Sequence, residues 1–223
     1  MSDEEKIKKL SEQITPSRYA KMLRALAYRT RRLAVVLEDI YQPHNAAAVL
    51  RSCDAFGLQT AYIIENRYPL KISHNVDMGV SKWMDIIKYK SPTCTTAFAA
   101  RNRPPNEFDK ANTKRAIDEI KAKGYLVAAS SLDANPVQVC DLPVEKPLAI
   151  LIGTELTGLS QTAIENADIT FKVDMLGFAQ SFNLSVFAAL CISEISKKMR
   201  SQGDAWKMSE SEKKKLLLRW LEE

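Results

Sequence analysis

The chain has 223 residues, of which 46% are hydrophobic and 26% are charged, and its formal net charge is +5. This length suits one sizeable α/β domain with appendages and is short for two full domains. The composition is that of a globular protein, and no apolar run approaches the ~18 residues of a membrane-spanning helix.

The cysteine and histidine content argues against disulfides and metal. The four cysteines show no CxxC spacing, and two of them, Cys53 and Cys191, fall in apolar helical stretches where a reduced thiol is expected. With only two histidines besides, we expect no metal site. The first residues, MSDEEKIKKLSEQ, are too polar for a signal peptide, so we expect a cytoplasmic protein with no membrane partner.

A basic segment comes first in the chain. Residues 16–32 contain six basic residues and no acidic one, and a helix is predicted over 16–29. At about 100° per residue, its apolar and basic side chains fall on opposite faces. The pattern fits either a surface helix with a solvated face or a helix that faces RNA or DNA phosphates.

Strand and helix patterns then alternate. Apolar runs predict strands at 32–39, 61–64, 85–89, 125–130, 148–153 and 169–173. Helices are predicted at 43–57, 74–82, 114–124, 160–167 and 182–199, with a long surface loop at 91–111. The alternation predicts an α/β fold with a mostly parallel sheet and helices on both faces. In the C-terminal tail, an apolar stripe indicates a packing helix: Leu216, Leu217, Trp220 and Leu221.

The loops after the predicted strands hold the candidate site residues, because ligands gather beyond the carboxyl ends of parallel strands. LIGTELTGLS (151–160) approaches a P-loop, but Leu159 stands where the phosphate-binding lysine is required, which disfavours nucleotide hydrolysis. No G-x-G-x-x-G occurs, so an ordinary dinucleotide site is not expected. Glu155 is either a functional carboxylate or a loop or helix-capping residue.

Two further stretches carry unusual polar residues. In VDMLGFAQSFNLSV (173–186), Ser181 is a candidate cap for the long helix and Asn183 lies in its predicted first turn, where an anionic ligand is favoured. In QPHNAAAVLRSCDAFG (42–57), Asn45 and Arg51 interrupt a largely apolar run. A guanidinium is costly to bury, so Arg51 either points outward or reaches a ligand.

Four stretches together resemble the SPOUT family of RNA methyltransferases and, within it, the TrmH branch of tRNA guanosine 2'-O-methyltransferases: 16–23, 42–57, 151–160 and 175–186. The resemblance implies a C-terminal trefoil knot over about 125–200, S-adenosylmethionine as cofactor, and a homodimer whose sites are completed across the interface. It implies methyl transfer to the ribose 2'-hydroxyl of guanosine 18 in the tRNA D-loop. Ribosomal RNA, a tRNA wobble nucleotide, and an inactive RNA-binding module remain alternatives.

The resemblance also assigns residues and a division of the chain. The cofactor pocket would be lined by Ser130, Gly153, Val173, Met175 and Phe182, and the methyl-acceptor site would hold Arg51, Asn45, Glu155, Ser181 and Asn183. Expected RNA contacts, most of them by charge alone, are Arg18, Lys21, Arg24, Arg32, His44, Lys197, Lys198 and Arg200. We expect a basic extension at 1–31, a methyltransferase domain at 32–200 and a helical tail at 201–223.

Overall fold

A computed structural model describes residues 2–67, 69–70, 79–96, 103–131 and 135–223. Its helices are α1 (Asp3–Ser11), α2 (Pro16–Ala27), α3 (Pro43–Ala55), α4 (Glu107–Ala122), α5 (Gln161–Asn166), α6 (Leu184–Ser201) and α7 (Glu210–Leu221). Its strands are β1 (Thr30–Glu38), β2 (Leu58–Glu65), β3 (Asp85–Lys90), β4 (Leu126–Ser130), β5 (Val137–Gln138), β6 (Leu148–Ile152) and β7 (Ile169–Lys172). Among the helices within these ranges, none is long and apolar enough to cross a membrane.

The strands of the described residues form one sheet in the order β3-β2-β1-β6-β4-β7-β5, and every neighbouring pair is parallel. In the centre, Val36 of β1 lies between Tyr62 of β2 and Leu151 of β6. Since all strands run the same way, their carboxyl ends meet at one edge of the sheet. The prediction of a parallel α/β sheet is confirmed.

Helices cover both faces of this sheet, as predicted. Alternate residues of β1 point to opposite sides, so that Leu33 and Leu37 pack under α3 and α6 while Ala34 and Val36 pack under α4 and α5. The thiols of Cys53 and Cys191 are free and fully buried between the sheet and the layer of α3 and α6. Burial raises the pKa of each to about 12. They are structural and unreactive.

Helix α3 is fixed closely against the sheet. Pro43 begins it, and Gly57 follows its last turn with a φ of +80°, as the sequence predicts. A Cβ on Gly57 would lie 2.4 Å from the carbonyl oxygen of Tyr28, so the position has no room for a side chain. Because α3 follows β1, its first turn, with Asn45, lies at the carboxyl edge of the sheet.

The N- and C-terminal helices form a third apolar cluster. Met22 and Leu26 of α2 are buried with Leu217 and Trp220 of α7, and Leu10 of α1 packs against them. The predicted packing role of the C-terminal stripe is confirmed. The division of the chain at 31/32 and 200/201 stays a prediction, as does the knot, whose expected path includes residues 132–134 outside the described ranges.

The structure changes the interpretation of the basic segment. Arg29 is not on the exposed face of α2: it is buried, pairs with Asp54, donates to the carbonyl of Leu58 at 2.9 Å and lies 5.3 Å from the ring centroid of Trp220. Arg31 and Arg32 belong to β1. The exposed cations of α2 are Arg18, Lys21 and Arg24.

Other boundaries also differ from the predictions. Helix α1 was not predicted, although Ser2 and Glu5 form a capping box at its start. Helix α4 begins at Glu107 inside the predicted loop, because Asn106 and Asp109 form a second capping box. The predicted helix over 74–82 falls mostly outside the described residues, and Val80–Lys82 is a single 3₁₀ turn.

Replacing Arg29 with alanine should destabilise the fold. The change leaves the Leu58 carbonyl and the Asp54 carboxylate without their cation, so we expect a loss of about 2 kcal/mol in the free energy of unfolding. Denaturant titration would measure it. The matched control is Arg24→Ala on the exposed face of α2, for which a change within about 0.5 kcal/mol is expected. Equal effects of the two variants would contradict the structural role of Arg29.

Candidate active site

The loop after β6 is held in one tight conformation. Thr154 and Gly158 exchange backbone hydrogen bonds of 3.0 Å in both directions, and Gly158 has a φ of +66°. A Cβ on Gly153 would lie 2.2 Å from the carbonyl carbon of Gly158, so only glycine fits there. Leu159 is buried in the core, which agrees with the absence of a P-loop. The turn holds Glu155 near its tip.

Three of the predicted site residues meet at this tip. The Glu155 carboxylate oxygen Oε1 accepts a hydrogen bond from Nδ2 of Asn45 at 2.7 Å and from Nδ2 of Asn183 at 3.3 Å. Nδ2 of Asn45 also donates to Oε1 of Gln42 at 3.3 Å. The cluster therefore joins the loop after β6, the first turn of α3 and the start of α6.

The cap of α6 differs from the prediction. Asn183, not Ser181, is the N-cap: its Oδ1 accepts from the backbone N–H of Ser185 at 3.0 Å and from the hydroxyl of Ser185 at 2.6 Å. Serine and asparagine cap helices about equally well, so the sequence did not distinguish the two positions. Asn183 thus offers its oxygen to the helix and its nitrogen to Glu155.

A cleft of about 580 Å³ opens beside this cluster between the loops that follow β4, β6 and β7. All five residues predicted for the cofactor line it: Ser130, Gly153, Val173, Met175 and Phe182. Glu155 and Ser181 are on its wall as well, with Phe171 and Phe187, whose rings stack at 6.2 Å. Apolar walls with a few polar groups and a bare glycine backbone suit a nucleoside with an extended tail.

A second cavity, of about 400 Å³, lies on the other side of the Glu155 loop. Its lining includes Tyr41, Gln42, Asn45 and Arg67. The two cavities share four lining residues: Thr154, Glu155, Thr157 and Leu184. Glu155 therefore stands at the boundary between a cofactor-sized cleft and a neighbouring space open to a substrate.

Arg51 does not join the cluster within one chain. It follows Asn45 by six residues on α3, which separates the two by about 9 Å along the axis and about 240° around it. The guanidinium is exposed and makes no hydrogen bond or ion pair within the part of the chain that the structure describes. Of the two interpretations for Arg51, the outward orientation holds for the single chain.

The predicted RNA contacts fall into two groups. Five are exposed: Arg18, Lys21, Arg24, His44 and Lys197. The other three are engaged internally: Arg32 donates to the carbonyls of Val144 and Glu145, Lys198 to those of Cys140 and Leu142, and Arg200 to those of Tyr28 and Phe56. Burial lowers the pKa of Arg200, whose guanidinium lies 4.0 Å from the Trp206 ring centroid. An RNA role for these three stays a prediction.

Two carboxylates that the sequence reasoning missed lie at the end of β1. Glu38 is buried, and desolvation raises its pKa. Asp39, with a φ of +55°, accepts from the backbone N–H groups of Asn66 and Arg67 and from Nε of Arg67 at 2.9 Å. An acidic pair directly after a buried strand was the available signal. Among the described residues, no group of His, Cys, Asp and Glu is arranged to hold a metal ion.

Several known proteins are similar to this chain in sequence and in fold. The SpoU rRNA Methylase family matches residues 32–105 and 97–193. The tRNA (guanosine(18)-2'-O)-methyltransferase of Borreliella burgdorferi is 33% identical over 95% of this chain and 87% of its own length, and that of Thermus thermophilus is 28% identical over 93% and 97%. The crystal structure of the Aquifex aeolicus TrmH/SpoU tRNA modifying enzyme superposes with a TM-score of 0.74 at 26% identity, covering 92% of this chain and 95% of that one. The chain therefore belongs to the SpoU methylase family.

Proposed function

We propose that the protein transfers a methyl group from S-adenosylmethionine to the ribose 2'-oxygen of guanosine 18 in tRNA. The observation that carries this is the Glu155 cluster, which lies between a cofactor-sized cleft and a second cavity. The names of the two relatives above support the choice of nucleotide. We also propose that the protein is cytoplasmic, because its proposed substrate is tRNA.

The cleft residues fit S-adenosylmethionine. The apolar walls at Phe171 and Phe187 would hold the adenine, and the backbone at Gly153 allows close approach because no side chain fits there. Ser130 and Ser181 supply hydroxyls for the polar groups. When bound there, the cofactor would supply a sulfonium-bound methyl group for transfer to the ribose 2'-oxygen.

The Glu155 cluster would orient the acceptor rather than take its proton. One carboxylate oxygen already accepts from Asn45 and Asn183, which ties both amides to Glu155, the residue at the boundary of the two cavities. Asn45 is thereby held with its side chain in the second cavity, where the target ribose would lie. Fixed polar groups at this point favour a geometry close to the transition state.

Arg51 would stabilise the negative charge that develops on the 2'-oxygen and bind the adjacent phosphate. A guanidinium with a pKa above ~12 is a poor base, so an RNA phosphate oxygen or water would receive the proton. Because Arg51 lies outside the cluster of its own chain, we propose that it acts in the site of a second copy, as a homodimer allows.

The exposed apolar side chains support that homodimer. Leu176 and Phe178 in the loop before α6 are 98% and 107% exposed, and Leu156 beside Glu155 is 94% exposed. Val186 and Leu190 add an apolar strip one turn apart on α6. Large apolar side chains grouped around the candidate site are typical of a protein interface.

Two other functions remain to be tested. A ribosomal RNA or a tRNA wobble nucleotide could be the substrate, the former in keeping with the description of the matching family. An inactive RNA-binding module is the third candidate. Incubating total RNA with labelled S-adenosylmethionine and mapping the modified ribose distinguishes the substrates. Calorimetry with the cofactor alone identifies the inactive module, for which no binding is expected.

Substituting Arg51 with lysine tests the proposed role of the guanidinium. Lysine keeps the charge but loses the planar fork, so we expect kcat for tRNA methylation to fall on the order of 100-fold. Binding of S-adenosylmethionine, measured by calorimetry, should stay unchanged. Arg115→Lys is the matched control, at an exposed arginine that is not among the expected RNA contacts. Near-normal turnover of Arg51→Lys would contradict the need for a bidentate group.

Replacing Arg18, Lys21 and Arg24 with alanine tests RNA binding by α2. Each lost phosphate contact should weaken tRNA binding and reduce the slope of log affinity against log salt by about one. Filter binding at several salt concentrations measures both quantities. The control removes the same three charges at exposed positions elsewhere: Lys114, Lys123 and Lys146. If the two triple variants bind tRNA alike, α2 is only a solvated surface helix.

A further inference from the structure

Glu38 is an unusual residue at the end of β1. Its side chain is buried, with 3% of the residue exposed, yet it carries a carboxylate. That carboxylate accepts three hydrogen bonds of 2.8 Å, from the backbone N–H of Ser160, the hydroxyl of Ser160 and the hydroxyl of Thr113. Burying a carboxylate costs several kcal/mol unless it is well bonded, so these contacts account for its place in the core.

The partners of Glu38 show what it holds. Ser160 ends the loop that carries Glu155 and caps α5 by accepting from the N–H of Ala163 at 3.1 Å. The other end of the loop is fixed by Gly153 and the backbone bridge between Thr154 and Gly158. Glu38 therefore ties the second end of the loop to the central strand β1.

Asp39, the next residue, fixes a wall of the second cavity. Asp39 binds the backbone and the Nε of Arg67, and Arg67 lines the cavity in which Asn45 lies. Two consecutive carboxylates at the end of β1 thus fix the Glu155 loop on one side and a wall of the second cavity on the other.

We infer that Glu38 is a positioning residue for methyl transfer. It fixes the position of the Glu155 loop relative to β1 and, through the loop, the geometry of the Asn45–Glu155–Asn183 cluster. The inference rests on the proposed function and adds a residue that lines neither the cofactor-sized cleft nor the second cavity. An error of about 1 Å in such a loop can cost on the order of 100-fold in rate without abolishing binding.

The experiment compares Glu38→Gln with Thr113→Val. The first replaces one acceptor oxygen by a donor facing Ser160 or Thr113. The second removes the bond from Thr113 to Glu38, together with the bond that Thr113 accepts from Nδ2 of Asn66, and leaves both loop bonds intact. For Glu38→Gln we expect kcat for tRNA methylation to fall on the order of 100-fold, with the Kd for S-adenosylmethionine changed by less than about tenfold. Thr113→Val, a similarly buried change, should keep kcat close to wild type. Ser160→Ala should lower kcat less than Glu38→Gln.

A double-mutant cycle separates positioning from general destabilisation. If Glu38 acts through Glu155, the variant Glu155→Ala should lose most of its sensitivity to Glu38→Gln, because the group to be positioned is gone. Amide hydrogen exchange should also speed up at Ser160 in Glu38→Gln but not in Thr113→Val. Multiplicative effects of the two substitutions on kcat, or a normal kcat in Glu38→Gln, would overturn the inference while the proposed function stands. A wild-type enzyme that methylates no tRNA would overturn the proposed function itself.

Discussion

The arrangement of the candidate site depends on one carboxylate oxygen that accepts hydrogen bonds from two amides. Oε1 of Glu155 accepts from Asn45 and from Asn183, which precede and follow it in the chain and belong to different helices. All three side chains are at least partly exposed, so these bonds contribute little to the stability of the fold. Their consequence is geometric, since they fix where the first turn of α3 and the start of α6 lie relative to the loop after β6. The stability that makes this possible comes from the buried parallel sheet.

The cations of the chain divide into those that hold the fold and those that face solvent. Arg29, Arg32, Lys198 and Arg200 each donate to backbone carbonyls of distant segments. Two of them, Arg29 and Arg200, tie the N-terminal part to the sheet domain. Arg18, Lys21 and Arg24 remain exposed along α2. The net charge of +5 therefore includes cations that are bonded inside the fold and are not available to RNA. The exposed basic surface is concentrated on α2.

The sequence predicted the sheet and much of the site because both leave local signals. Apolar runs of four to eight residues identify buried strands, and polar residues soon after them, such as Glu155, identify the loops at the carboxyl edge. The start of α4 was missed because its cap, Asn106, follows two prolines that indicate a loop. Arg29 and Arg200 could not be distinguished from surface cations, since their carbonyl acceptors come from residues distant in the chain. The same holds for Glu38, because its hydrogen-bond partner Ser160 comes 122 residues later in the chain.

The position of Arg51 connects the fold to the assembly. A buried guanidinium without a partner would cost several kcal/mol, and the single chain avoids that cost by leaving Arg51 exposed on a helix whose other side is packed against the sheet. The Arg51 side chain makes no hydrogen bond or ion pair with the described residues of its own chain. The apolar groups at Leu156, Leu176 and Phe178 are exposed near the candidate site. Covering those groups with a second copy would bring a surface cation into a partly desolvated site, where charge on a ribose oxygen is stabilised more strongly than in water. In the proposed homodimer, the surface that buries the apolar loop would therefore also supply the cation for methyl transfer.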